Sequence, residues 1–355
     1  MSCQICIIDY IGNCDQSGKP IGHPIKVLNE YTHLLKEDVS LSLIIPNNYR
    51  GKVNLESISE IKWLKRFVDI TATKFNKRII NIAIRIKNLL ETENYIKEKQ
   101  IVWFINTDYF LLLYLAFSPK KRRYRIWLTS YFKEYNQGNS LKNRIYDFIY
   151  TKGINKVDKL ITSDPNDISK SNKLIFLPDY FYNPDFYQEY SNIKKKKLVL
   201  CIGTMTGNKD IEGIIDIFSE INMPLKIVGK FTDQNRLSML LNKVSNNIQI
   251  IDQYLSQDDY YSLIAESLYV ILPYKEKSYY KRSSGILLEA IFLDSIVIAP
   301  SFLLKFNKIN GISYEKLTDL INIFKGDYIN EIDNSGIKQL FDINNIKKQI
   351  INMMG

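Results

Sequence analysis

The sequence predicts an α/β protein of two domains, each a parallel sheet with crossover helices. Three observations carry this. Short apolar runs of strand length alternate with helical stretches along nearly the whole chain. At 355 residues and 45% hydrophobic content the chain can bury two cores. Midway, a polar and aromatic stretch with two prolines, Leu177–Asn192, interrupts the alternation and is followed by the lysine run Lys194–Lys197. The expected division is a first domain over 1–178, a linker over 179–195, a second domain over 196–335, and a closing helical segment over 336–355 that packs back on the first domain.

In the first half the strand candidates are Gln4–Asp9, Ser40–Ile45, Ile101–Ile105, Arg125–Thr129, Lys159–Thr162 and Leu174–Leu177. Apolar spacing places helices over Ile25–Leu35, Ile61–Asn88, Phe110–Phe117 and Leu141–Lys152. In the second half strands fall at Leu198–Gly203, Leu225–Val228, Ile248–Ile251, Tyr269–Pro273 and Ile296–Ala299. The helices between them run over Asp210–Glu220, Asn235–Val244, Gln257–Ala265 and Ser284–Leu293. Ser256 with Asp259 three residues on forms a capping box, which marks one helix start.

Composition bounds the function. The four cysteines form no disulfide framework, and Cys3 and Cys6, although spaced C-x-x-C, point to opposite faces of a strand. No basic-then-apolar leader opens the chain. The most apolar window, Ile101–Phe117, is broken by Asn106-Thr107-Asp108 and is too short for a bilayer. A cytosolic location is expected. The formal charge of +10 calls for an anionic partner: nucleic acid, anionic lipid or a phosphorylated substrate. Heavy use of Ile, Lys, Asn and Tyr also fits an AT-rich genome, so the charge alone does not choose. No stacking or helix-turn-helix motif appears, and no nucleic-acid partner is expected.

The most informative stretch is Val270–Pro300. An apolar strand leads into a Lys-, Ser- and Tyr-rich loop, then a helix opens at Ser283-Ser284-Gly285, and a second apolar strand follows. A helix start made of Ser and Gly offers free amides and the positive end of a dipole to an anion. Inside that helix Glu289 stands among apolar residues, on the face of Arg282, Gly285 and Phe292. Burying such a carboxylate unpartnered is costly, so it must face a partner or a cavity. Upstream, Gly203-Thr204-Met205-Thr206-Gly207-Asn208-Lys209 joins a strand to a helix, where glycines admit a phosphate and Lys209 offers it a charge. Gly229-Lys230 ends the next strand in the same register. Each reads equally as an ordinary strand-to-helix turn.

Taken together these segments resemble the GT-B glycosyltransferases, specifically glycosyltransferase family 4 (glycosyl transferases group 1), well over Leu198–Pro300 and in outline before it. The resemblance implies two Rossmann-like domains whose parallel sheets face each other across a cleft. It implies that Gly203, Lys209, Ser283, Ser284 and Gly285 meet the donor diphosphate, with Thr204, Lys230 and Arg282 also on the donor-binding side. Glu289, within Leu287-Leu288-Glu289-Ala290, holds the ribose hydroxyls, and Gln253-Tyr254-Leu255 lines the nucleobase. Two positions depart from the family: Lys281 stands where a sugar-contacting Glu is usual, and Thr204 where an Arg usually follows the first glycine.

The first domain is expected to hold the acceptor. The glycine-rich loop from Gly12 to Gly22 and His23 follows the first strand and, by the resemblance, faces the cleft. His23 and Asp108 are the candidate catalytic groups. Asp108 and Asp15 read equally as cap and turn acids, and His33 reads as an ordinary helical residue. No His occurs in Trp127–Phe132, where the family often places one.

Asp258-Asp259 reads as a helix-capping pair and Asp164–Asp167 as a turn with Pro165, neither of them a metal-binding Asp-x-Asp, and the resemblance implies metal-independent transfer without a cofactor. The segments Lys62–Lys87 and Lys120–Arg125 gather cations, which fits docking on anionic lipid as well as a solvated outer face. The function implied is retaining transfer of a sugar from a nucleoside-diphosphate donor to a saccharide acceptor, lipid-linked, in bacterial surface polysaccharide assembly. Alternatives are a nucleotide-sugar 2-epimerase of the same architecture and a non-catalytic nucleotide-binding partner subunit.

Overall fold

The protein is described from a computed structural model, over residues 4–20, 24–97, 100–118, 123–129, 140–164, 173–279, 284–325 and 331–355. The chain forms two compact units, Met1–Asp179 with Ile346–Gly355, and Tyr180–Asn345.

The first unit carries a seven-stranded sheet. Its strands are β1 (Gln4–Ile8), β2 (Ser40–Pro46), β3 (Ile58–Leu64), β4 (Ile101–Phe104), β5 (Arg125–Thr129), β6 (Lys159–Thr162) and β7 (Leu174–Phe176), in the order β3-β2-β1-β4-β5-β6-β7. All its pairings are parallel. Parallel strands covered on both faces read as unbroken apolar runs, and the buried stretches ICII of β1, LIIP of β2 and IVWF of β4 do. Cys6, Ile8, Val102, Phe104, Ile126 and Leu128 line one face of the sheet. Trp103 and Trp127 lie on the other, edge-to-face at 6.0 Å, with Tyr31 of the helix Pro24–Leu35 packed on Trp103.

The second unit carries a six-stranded sheet. Its strands are β8 (Lys196–Ile202), β9 (Leu225–Val228), β10 (Ile248–Ile251), β11 (Ser267–Ile271), β12 (Ile296–Pro300) and β13 (Ile312–Tyr314), in the order β10-β9-β8-β11-β12-β13. The pairings are again parallel. This is the doubly wound Rossmann order, whose ligand crevice lies outside the carboxyl ends of the strands where the order reverses. That point falls between β8 and β11 here, and between β1 and β4 in the first unit.

The structure corrects several expectations. Ile61–Asn88 is not one helix: it divides into strand β3, a turn-rich link, and a helix over Phe75–Glu93. As an edge strand β3 carries Glu60 and Lys62 on a partly solvated surface, which hides the apolar run expected of an inner strand. The segment expected as a linker contains a helix over Pro184–Gln188, whose Tyr187, with Tyr190 just after it, packs on Tyr261 within the second unit. Strand β13 and the helices Ser301–Asn307 and Asp319–Lys325 had no expected counterpart, and the closing helical segment expected over 336–355 divides into two helices, Ser335–Leu340 and Ile343–Met354. The helix Ser335–Leu340 belongs to the second unit, where Phe341 meets Phe292 and Lys338 pairs with Asp294 at 2.6 Å. The final helix, Ile343–Met354, begins in the second unit and from Ile346 is part of the first, where Lys347 pairs with Asp38 at 2.7 Å. Among the described residues no helix is long and apolar enough to cross a membrane.

Candidate functional site

The loop after β8 starts at Gly203, whose φ of +94° suits glycine. Gly229, at φ +148°, ends the neighbouring strand so close that a Cβ on it would stand 2.1 Å from the Gly203 carbonyl oxygen. A Cβ on Gly203 would in turn stand 2.8 Å from Cδ1 of Ile286, in the first turn of the helix Gly285–Phe292. The glycines therefore bring two strand ends and one helix start into contact.

Lys209 closes the loop. Its backbone forms an antiparallel bridge with Tyr274, just past β11, so the two loops at the switch point are tied together. The Lys209 side chain is buried, at 4% exposure. Its ammonium donates to the Ile202 carbonyl at 2.8 Å and stands 5.9 Å from the Tyr274 ring centroid. An ammonium has three donors, and among the described residues no carboxylate pairs with this one. Burial pushes its pKa below the ordinary lysine value, while the nearby Cys201 acts the other way.

Tyr274 carries the cluster onward. Its hydroxyl shares a 2.9 Å hydrogen bond with Ser284 Oγ, and its ring stacks on Tyr279 at 3.7 Å. Ser284 is the N-cap of the helix Gly285–Phe292, yet its side chain makes no capping bond to that helix. Gly285 is held against Tyr180, whose ring a Cβ would meet at 2.4 Å. Lys209, Tyr274, Ser284 and the Gly285 helix start thus gather around one point.

One helical turn on, Glu289 is buried, at 6% exposure. Tyr260, on the helix Gln257–Glu266, donates to Oε2 at 2.6 Å, and Tyr261 donates to Oε1 at 3.4 Å. The carboxylate that had to face a partner or a cavity faces two tyrosines. Burial, then the negative Glu289, pushes the Tyr260 pKa well above its ordinary value.

Lys230 differs from Lys209. Asp252 accepts from its ammonium at 2.8 Å, from the Phe231 amide at 2.8 Å and from Gln234 at 3.1 Å. That set, led by the Lys230 hydrogen bond, holds the Asp252 carboxyl at about 2. The charge of Lys230 is compensated inside the unit, whereas among the described residues no carboxylate pairs with Lys209. Thr204 is exposed on its loop, and Tyr254 is 84% exposed. Lys281, Arg282 and Ser283 lie outside the described residues, as do Gly22, His23 and most of the Lys120–Arg125 cluster.

Sequence reasoning missed Arg236. Its guanidinium pairs with Glu212 and donates to the Thr206 and Lys209 carbonyls at 2.8 and 2.9 Å, pinning both ends of the Thr206–Lys209 turn. Nothing local in the sequence marks a contact across 24 positions. Tyr274 had a signal: an aromatic residue just past the Leu272-Pro273 pair that follows β11 at the switch point.

In the first unit the switch point is organised by Asp9, which sequence reasoning treated only as a strand end. It is fully buried and accepts from the amides of Ile11 and Gly12 at 3.0 and 3.1 Å, from Tyr49 at 2.6 Å and from Asn106 at 3.4 Å. Burial raises its pKa despite those donors. Gly12 sits at φ +63° against Pro46. Asp108 is the N-cap of the helix Tyr109–Phe117, accepts from Tyr10, and pairs with Arg85 at 2.6 Å. These contacts give it the cap role that competed with catalysis. Asp15 accepts from Ser17 and Lys19 within its own turn, and His33 is exposed.

No protein-family model matches the chain, and no curated protein matches it. Solved structures do. HepE from Anabaena, in complex with UDP and glucose, is similar with a TM-score of 0.59 at 13% identity, covering 99% of each chain. The α,α-trehalose 6-phosphate synthase from Burkholderia multivorans gives a TM-score of 0.64 at 9% identity, covering 100% of this chain and 98% of that one. The catalytic domain of starch synthase IV from Arabidopsis thaliana, bound to ADP and acarbose, gives 0.59 at 13%, covering 99% and 98%. The chain has the GT-B fold.

Proposed function

We propose that the protein is a glycosyltransferase that takes a sugar from a nucleoside-diphosphate donor and passes it to a saccharide acceptor. The observation that carries the reading is Lys209: a buried ammonium with one carbonyl partner, beside an N-terminal helix end, at the switch point of a Rossmann sheet. A diphosphate supplies the counter-charge that this ammonium does not find among the described residues. As the bond to the sugar breaks, negative charge grows on the leaving diphosphate, and a fixed cation with helix amides stabilises it. Glu289, steadied by Tyr260 and Tyr261, is assigned to the ribose, and Ser284 and Gly285 to the phosphate oxygens. The similarity to structures that hold UDP or ADP supports the nucleotide half of this assignment. In the same reading the acceptor is a lipid-linked saccharide of bacterial surface polysaccharide assembly, and transfer retains the anomeric configuration.

The test is thermal stability with UDP, ADP and GDP and their glucose or mannose conjugates. A ligand present at a hundred times its Kd adds about 2.7 kcal/mol to stability, a shift of several degrees. One diphosphate series should produce such a shift, and its sugar conjugate should be consumed once acceptor is added. A flat response across all three nucleotides removes the proposal. Epimerised donor without acceptor replaces transfer with epimerisation.

A further inference from the structure

We propose that the outward face of the helix Phe75–Glu93 docks the protein on an anionic lipid bilayer. Expected as either a basic patch or a solvated surface, this helix also turns a row of apolar side chains outward. Its buried positions are Asn81, Asn88, Leu89 and Thr92: Leu89 joins the core, Asn88 donates to the carbonyls of Tyr10 and Arg66 at 2.8 and 3.0 Å, and Asn81 donates to that of Asp69 at 2.6 Å. Phe75, Ile79, Ile82, Ile86 and Leu90 are exposed, Phe75 by 79%. Their spacing of four, three, four and four residues puts them in one stripe along a helix. An apolar stripe of this length facing water marks an interaction surface.

The stripe continues onto its neighbours. Strands β3 to β6 follow one another in a single direction across the sheet, so right-handed crossovers put their connecting helices on one face. On the next helix, Tyr109–Phe117, Leu113 and Phe117 are exposed one turn apart. On the third, Leu141–Asn155, the exposed residues are Leu141, Ile145 and Phe148, again at helical spacing.

Charge selects the occupant. The acids of the first helix are engaged within the unit: Glu91 pairs with Arg66 at 3.2 Å, and Glu93 accepts from Tyr124 at 2.9 Å. The stripe is instead flanked by exposed Lys74, Lys77, Arg78 and Lys87. A second copy docking by two-fold symmetry would set these cations against themselves. Anionic headgroups neutralise them while the acyl boundary takes the apolar side chains, the arrangement of a helix lying in the membrane surface. The inference goes beyond the transferase reading and stands without it.

The test is co-sedimentation of the full chain, without nucleotide, with vesicles of phosphatidylcholine alone or with about one third phosphatidylglycerol. The protein should pellet with the anionic vesicles and be released by high salt. Ile79→Ser with Ile86→Ser should lower that binding by about tenfold or more, and Lys77→Glu with Arg78→Glu should abolish the preference for phosphatidylglycerol. Circular dichroism and an unchanged Tm confirm that both variants are folded. Protein that stays in solution with anionic vesicles overturns the proposal. So does a dimer in sedimentation velocity that the serine variant turns into a monomer, which gives the face to a second copy.

Discussion

Lys209 and Tyr274 are joined at two levels: their backbones form an antiparallel bridge, and the Lys209 ammonium stands 5.9 Å from the Tyr274 ring. The first holds together the loops that leave β8 and β11. The second keeps a buried cation beside one carbonyl and an aromatic face. Burying a charge so is costly, and under the proposed donor role an arriving anion offsets that cost.

That asymmetry gives opposite effects on binding and stability. Lys209→Met keeps most of the side-chain volume and removes the charge. Nucleoside diphosphate affinity should fall by more than about tenfold, the scale of losing a charge-assisted hydrogen bond. The melting temperature at neutral pH should hold or rise, because a desolvated charge has gone. Titration calorimetry with UDP and ADP beside thermal melts reads both. A variant that melts early and binds normally would make Lys209 a structural residue.

Glu289 and its tyrosines separate in the same way. Glu289→Gln keeps an oxygen for Tyr260, and the amide can donate to the Tyr261 hydroxyl, so the fold should persist while donor affinity drops strongly. Tyr260→Phe takes one donor from a buried carboxylate, a loss of about 1–3 kcal/mol in stability, with a smaller effect on nucleotide binding. Chemical denaturation and donor kinetics on the two variants test this division. Wild-type donor kinetics in Glu289→Gln would leave the carboxylate a purely structural partner of Tyr260.

How far these features could be read in advance depended on distance along the chain. The inner strands were legible because burial on both faces leaves runs such as KKLVLCI and IVIAP. The edge strand β3 was not, since its solvated side interrupts the run and leaves Ile61, Leu64 and Val68 at a spacing that imitates a helix. Gly203, Lys209 and Ser284 could be singled out because strand, loop and helix follow one another locally. What distinguishes Lys230 from Lys209 is Asp252, 22 residues away, and only the sheet brings it near. The aromatic stretch before β8 reads as a linker because its prolines and polar residues mark a break. Its Tyr187 finds partners in Tyr261 and Phe292, 74 and 105 residues on.

The paired glycines make a steric prediction. Gly229→Ala places a methyl group 2.1 Å from the Gly203 carbonyl oxygen at a backbone angle that side chains rarely adopt. It should cost more than about 3 kcal/mol and appear as loss of soluble, cooperatively melting protein. Gly207→Ala, in the same loop region with nothing within 4 Å of the new carbon, should stay within about 0.5 kcal/mol. Equal melting of the two variants would contradict the close approach of the strand ends.

Lys195 gives a pH dependence with a defined sign. Its ammonium reaches the carbonyls of Leu293, Ser267 and Ile264 at 2.8, 3.2 and 3.5 Å, and Ser295 Oγ at 2.7 Å, bracing the carboxyl ends of two helices. Burial, outweighing the attraction of Asp294, lowers its pKa from 10.5 to about 8. Between those two values the unfolded chain holds a proton that the folded chain has released, so this residue's contribution to stability rises with pH across the window. The full change is about 3 kcal/mol. Lys195→Met removes the linkage along with the bracing, so the stability gap between wild type and variant should widen from pH 7.5 to pH 10. The measurement belongs below pH 10, because buried tyrosines such as Tyr260 and Tyr274 have pKa values raised well above 10 and make stability fall beyond that point. Urea titrations of both proteins at half-unit steps supply the curve. A gap that stays constant or narrows as pH rises shows that Lys195 is not the source of the dependence.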